Sequence, residues 1–101
     1  MSGIDCIAAL KALGELNRLR IVRLLLQDRL GVNDISDRLS ISQYNVSKHL
    51  RILREAGLVQ MEKQAQQRLY SVVPELKSRL AANKNVLELK CCTFRFDNLP
   101  E

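Results

Sequence analysis

At 101 residues the chain has room for one small domain (1–101), and none for a catalytic domain beside a binding domain. Its 47% hydrophobic and 27% charged residues are those of a folded soluble globule, and no apolar run approaches the ~18 residues of a membrane span. The net charge of +5 leans toward an anionic partner, of which nucleic acid is the commonest.

The N-terminus Met1-Ser2-Gly3-Ile4-Asp5 lacks the basic-then-apolar pattern of a signal peptide, so a cytoplasmic protein with no membrane partner is expected. Three cysteines is an odd number, and a closed disulfide framework is not expected in a monomer. In a reducing compartment these thiols read as buried filler, ligands or redox groups.

Ile4 to Leu13 carries apolar residues at Ile4, Ile7, Ala8 and Leu10, the pattern of a helix that Gly14 ends or bends. Leu16 to Gln27 predicts a core helix with Leu19, Val22 and Leu26 on one stripe, Ile21 and Leu25 widening it, and Arg18, Arg20 and Arg23 on a basic outer face. Asp28-Arg29-Leu30-Gly31 breaks the pattern, and Asn33 is a candidate N-cap for a short helix whose inward face is Ile35 and Leu39.

After a turn at Ser40-Ile41, Ser42 is the N-cap of a helix from Gln43 to Ala56. Val46, Leu50 and Leu53 form its inward stripe, and Gly57 stands where a left-handed C-cap belongs. Leu58–Glu62 and Arg68–Val73 favour β-structure around the polar tip Lys63-Gln64-Ala65-Gln66-Gln67, which predicts a hairpin. Pro74 opens a further helix that runs through Leu76 and Leu80 to about Asn83. Val86-Leu87-Glu88-Leu89 fits a helix continuation, whereas Cys91-Cys92-Thr93-Phe94-Arg95-Phe96 has strand character.

Two short helices joined by a small turn make a helix-turn-helix, and the hairpin makes it winged: a mainly α fold with a small β-hairpin. This geometry lays the second helix in the DNA major groove. Gln43 and Asn45 can pair with adenine, Lys48 and Arg51 can reach guanine or phosphate, and Lys63 and Arg68 can follow the flanking backbone. Ser42, Tyr44, Ser47, His49 and Gln67 complete the candidate DNA-binding set. The bland reading of each, a solvated helix face, weakens for an ordered set placed just after a two-helix turn.

His49 is the single histidine, which excludes multi-histidine zinc sites and suits helix packing or a phosphate contact better than metal ligation. No nucleophile–base pair, phosphate loop or carboxylate dyad is present, so an enzyme is not expected. Cys91-Cys92 is not a CxxC redox motif, but two adjacent thiolates can chelate a soft ion. Buried filler is the competing reading of the pair and of Cys6.

Lys11-Ala12-Leu13-Gly14 with Asn17-Arg18-Leu19-Arg20-Ile21, the stretch Ser42 to Leu50, and Leu53-Arg54-Glu55-Ala56-Gly57-Leu58-Val59 resemble the ArsR/SmtB family of bacterial winged-helix repressors over Leu10 to Val73. The resemblance implies a homodimer joined by its first and last helices, bound to a two-fold symmetric double-stranded operator and released by an inducer. Known arsenic sensors carry two cysteines at the third helix, but here Gly31 and Asn33 stand at those positions.

The tail Cys91 to Phe96 is similar to that of members with paired C-terminal cysteines that respond to trivalent arsenic. A pyramidal trithiolate site of Cys6, Cys91 and Cys92 is therefore expected for arsenite, with antimonite a further candidate; the protomer supplying Cys6 is left open. The wing tip departs from the family, which usually has glycine there, and a longer, looser turn over Gln64–Gln67 is expected. Rival readings are a thiol sensor of oxidants or reactive sulfur, with Cys91 or Cys92 bonding to Cys6, and a winged-helix module that binds protein.

Overall fold

The computed structural model describes residues 4–97. The readings of Met1–Gly3, and of residues 98–101 at the end of the thiol segment, lie outside the described residues. Five helices and two small antiparallel hairpins follow in the order α1 (Cys6–Leu13), α2 (Leu16–Gln27), α3 (Val32–Leu39), α4 (Gln43–Glu55), β1 (Val59–Gln64), β2 (Gln67–Val72), α5 (Pro74–Ala82), β3 (Val86–Glu88) and β4 (Thr93–Arg95). This is the winged helix-turn-helix expected from the sequence.

Helix α1 starts two residues later than Ile4, because the Asp5 carboxylate accepts from the Ala8 N–H at 2.9 Å and fixes the N-terminus there. Its buried face is Ala9, Ala12 and Leu13, an i, i+3, i+4 set. Ile7 and Leu10, expected on the apolar stripe, are 52% and 41% exposed. In α2 the inward stripe is rotated to Ile21, Val22 and Leu25, with Leu19 and Leu26 packed at its edges.

Gly31, not Asn33, occupies the N-cap of α3. Leu30 exchanges both backbone hydrogen bonds with Tyr70 of β2, at 3.1 and 2.8 Å, so the chain leaves the wing and enters the helix within one residue. Helix α4 ends in the expected way. Gly57 has φ +78, its N–H reaches the Arg54 carbonyl, and the Leu58 N–H reaches that of Leu53, the paired bonds of a Schellman cap.

The wing is regular to its tip. Gln64 pairs with Gln67, leaving a two-residue turn of Ala65 and Gln66 instead of the longer loop expected. The turn is tight because Ala65 adopts φ +54, a conformation that usually selects glycine. Beyond α5, Lys84 and Asn85 both take positive φ, and the Asn85 N–H closes on the Leu80 carbonyl. That ends the helix, and Val86–Glu88 pairs with Thr93–Arg95 as a strand where a helix continuation was the alternative.

One contiguous core draws on every helix: Leu13, Ile21, Ile35, Leu50 and Leu76 are fully buried, and Leu58 and Leu87 join them from beside or within the hairpins. Leu80 is 1% exposed, which removes it from the dimer face on which the resemblance placed the last helix. Among the described residues no helix is long and apolar enough to cross a membrane.

Candidate nucleic-acid interface and thiol cluster

Helix α4 is aimed by its caps and its stripe. Ser40 closes α3 in the left-handed region, its N–H donating to Ser36, and the Ser36 hydroxyl donates to the Ile41 carbonyl. That short, self-bonded turn sets α4 against α3. The Ser42 hydroxyl accepts from the Asn45 N–H at 3.1 Å, so Ser42 works first as a cap.

Burial of Val46, Leu50 and Leu53 then forces Gln43, Tyr44, Asn45, Ser47, Lys48 and Arg51 into solvent. Tyr44 is 76% exposed. On the wing, Lys63, Gln67 and Arg68 are exposed, and Lys63 lies directly opposite Arg68 in the strand register. Like charges in that position repel, and an anion placed beside them relieves the repulsion. Amides on α4 and cations on α4 and the wing are what a base edge flanked by phosphates requires.

His49 departs from this set. It is partly buried, with Nδ1 3.2 Å from the Arg18 guanidinium and Nε2 4.0 Å from a Glu15 carboxylate oxygen. Burial lowers its pKa below the usual 6.5; Glu15 opposes the shift, and Arg18 and Lys48 add to it. Placement between helices takes it off the exposed row.

Arg18 and Arg20 likewise leave the basic outer face expected of them. Arg18 donates to the Ala12 and Lys11 carbonyls at the end of α1, and Arg20 donates to Asn17 and to the Leu39 carbonyl at the end of α3. The sequence carries one local signal of these interhelical roles, Glu15, which accepts from the Arg18 N–H and caps α2.

The three cysteines meet at the opposite end of α1. The β3–β4 connection Leu89–Cys92 is closed by the Leu89 N–H donating to the Cys92 carbonyl, which holds Cys91 and Cys92 on a tight loop. Cys91 is bonded to Cys6, the first residue of α1, across 85 residues of chain and a Cα–Cα distance of 6.0 Å. The Cys92 sulfur is free and 3.7 Å from that of Cys91.

This disulfide corrects the expectation of three free thiols. With Cys6 and Cys91 bonded, no group of three or more His, Cys, Asp or Glu side chains among the described residues is arranged to hold a metal ion. All three sulfurs nevertheless belong to one chain and one neighbourhood. A cleft lined by Asp5, Cys6, Arg79, Glu88 and Lys90 opens beside them.

The comparisons with known proteins agree with this fold. The sequence profile of the bacterial regulatory protein arsR family matches residues 16–61. The chain is 41% identical over 66 residues to the transcriptional activator HlyU of Vibrio cholerae, covering 65% of this chain and 61% of that one. The chain thus spans 61% of the length of the sequence relatives it matches.

The structure of reduced HlyU from Vibrio cholerae superposes with a TM-score of 0.67 at 37% identity, covering 76% of this chain and 82% of that one. A protein described as a possible transcriptional regulator for arsenical resistance superposes with 0.64 at 34% identity, covering 76% and 80%. The homodimeric winged helix-turn-helix DNA-binding domain of Mb0332 from Mycobacterium bovis gives 0.71 at 28% identity, covering 78% and 73%. On its fold and these matches, the chain belongs to the arsR family of bacterial regulatory proteins.

Proposed function

We propose that the chain is a non-enzymatic, dimeric repressor that binds a two-fold symmetric double-stranded DNA operator and lets go when an effector reaches its cysteines. The observation that carries DNA binding is the ordered exposed row Gln43, Tyr44, Asn45, Ser47, Lys48 and Arg51, flanked by Lys63 and Arg68 on the wing. Ile7, Leu10 and Leu16 are 52%, 41% and 50% exposed and offer an apolar face to a second copy. The Mb0332 domain is described as homodimeric.

The DNA test is salt and sequence dependence. Affinity should fall steeply with salt as Lys48, Arg51 and Arg68 of two protomers displace counterions. Gln43→Ala should cost roughly 1–3 kcal/mol on the cognate site and relax specificity. Lys48→Ala should weaken cognate and random DNA alike. Salt-insensitive binding indifferent to both changes would contradict the assignment and favour a protein-binding module.

For the effector, the reading is trivalent arsenic, with antimonite beside it. Three thiols of reduced Cys6, Cys91 and Cys92 replace the three hydroxyls of arsenous acid, forming three S–As bonds and releasing three waters. Proximity of the three sulfurs in one chain supports it, as does similarity to a possible regulator for arsenical resistance. Soft metalloids favour thiolate donors.

A second reading is an oxidant or reactive-sulfur sensor, in which the Cys6 and Cys91 thiols lose two protons and two electrons to the oxidant and join. The bonded Cys6–Cys91 pair is the observation in its favour. Operator release by mild oxidation without metalloid, with the bond mapped by mass spectrometry, selects the second reading; release of the reduced protein by arsenite selects the first.

A further inference from the structure

We propose that Arg18 couples the state of the Cys6–Cys91 pair to the seating of recognition helix α4, by gripping the far end of α1 and His49 of α4 with one guanidinium. The proposal rests on the thiol-controlled reading above and adds the route by which the thiols reach the DNA-reading surface.

Helix α1 has eight residues and is about 12 Å long, so it moves as a short rod. Its first residue, Cys6, is covalently held to the β3–β4 loop. At its other end the last carbonyls lack intrahelical partners and carry partial negative charge. Two of them, Ala12 and Lys11, accept from Nε and a terminal nitrogen of Arg18. The remaining terminal nitrogen lies 3.2 Å from His49 Nδ1.

Arginine can only donate, so Nδ1 must accept and the imidazole proton resides on Nε2, the nitrogen facing Glu15 at 4.0 Å. Glu15 is itself fixed by capping the Arg18 N–H at 3.0 Å. Glu15 thereby flanks the imidazole on the side away from Arg18, and the planar fork of Arg18 joins α1 and α4 to its own helix α2. A lysine in place of Arg18 would present one ammonium and could not span the three partners.

His49 follows Lys48 and precedes Arg51 by two residues, so the residue gripped from inside shares a turn with cations that face outward. A change in α1 that moves the Ala12 and Lys11 carbonyls must drag or break the Arg18 fork, and His49 turns with it. Base-edge hydrogen bonds tolerate only a few tenths of an ångström. Opening the disulfide releases the Cys6 end of α1, and its closure fixes that end again; those are the two states the relay transmits.

His49 is the single histidine of the chain, so its ring nitrogens can be followed by NMR without ambiguity in the untagged protein. In the full chain, reducing Cys6–Cys91 should shift the His49 resonances, and in Arg18→Lys it should leave them in place. Binding to the DNA upstream of the chain's own gene should differ about tenfold between the dithiol and disulfide forms of wild type, in the range usual for allosteric coupling. That difference should fall below about threefold in Arg18→Lys and in His49→Leu, with the disulfide still forming by thiol count.

Unmoved His49 resonances in wild type, or a full tenfold difference retained in Arg18→Lys, would overturn the relay. Resonances that move in wild type and not in Arg18→Lys, with equal DNA affinity in both forms, would uphold the relay and instead overturn thiol control of DNA binding.

Discussion

Reducing the Cys6–Cys91 bond is the perturbation whose size the structure fixes most directly. The bond joins residues 85 apart. Cross-linking a loop of that length removes roughly 4–5 kcal/mol of chain entropy from the unfolded state in the chain-entropy treatment. For a domain of this size that is a large part of total stability. In the folded state reduction leaves the Cys6 end of α1 held by Asp5 capping, while Ala9, Ala12 and Leu13 keep the rest of the helix packed.

The assay is urea unfolding at one fixed protomer concentration, with and without reductant, alongside a thiol count that should rise from one to three. With a slope of about 1–3 kcal/mol/M, the midpoint should fall by more than about 1 M, and the slope should rise as the freed chain exposes more surface. A thiol count of three with an unmoved midpoint would refute the placement of the bond across the fold.

Other consequences are as specific. Leu80→Asp should unfold the protomer, because Leu80 is buried in its own core, whereas Ile7→Asp should leave the fold intact and weaken self-association, both read by sedimentation and circular dichroism. Ala65→Gly should stabilise the wing by about 1 kcal/mol by relieving a left-handed alanine, seen as a raised Tm. Because the folded pKa of His49 lies below its unfolded value near 6.5, its contribution to stability is complete above pH 6.5 and is lost as pH falls toward the folded pKa. His49→Gln should flatten that acid limb in a series of urea titrations, and an unchanged limb would assign it to the carboxylates.

How much of this was legible follows from where the information sits. Helix α4 could be read because its stripe, the Ser42 cap and the Gly57 stop are all local and agree with one another. The wing strands were legible for the same reason, but not their turn: alanine at positive φ defies ordinary turn chemistry and carries no sequence signal. Arg18 looked like a solvated cation because its partners, the α1 carbonyls and His49, are set by tertiary packing. Leu80 showed the right helical spacing, yet spacing cannot say whether the face it marks packs on the protomer's own core or on a second copy. The cysteines were expected to meet only through the family resemblance, since nothing local connects residues 85 apart.

If the cysteine cluster governs a DNA grip made by α4 and the wing, arsenite should distinguish reduced wild type from the Cys91→Ser/Cys92→Ser double variant in release of labelled operator. Wild type should let go, more readily at higher pH as thiolate becomes available, while the double variant should bind operator normally and hold it at every arsenite concentration. A double variant that releases DNA as wild type does would leave the C-terminal thiols as filler and contradict the account.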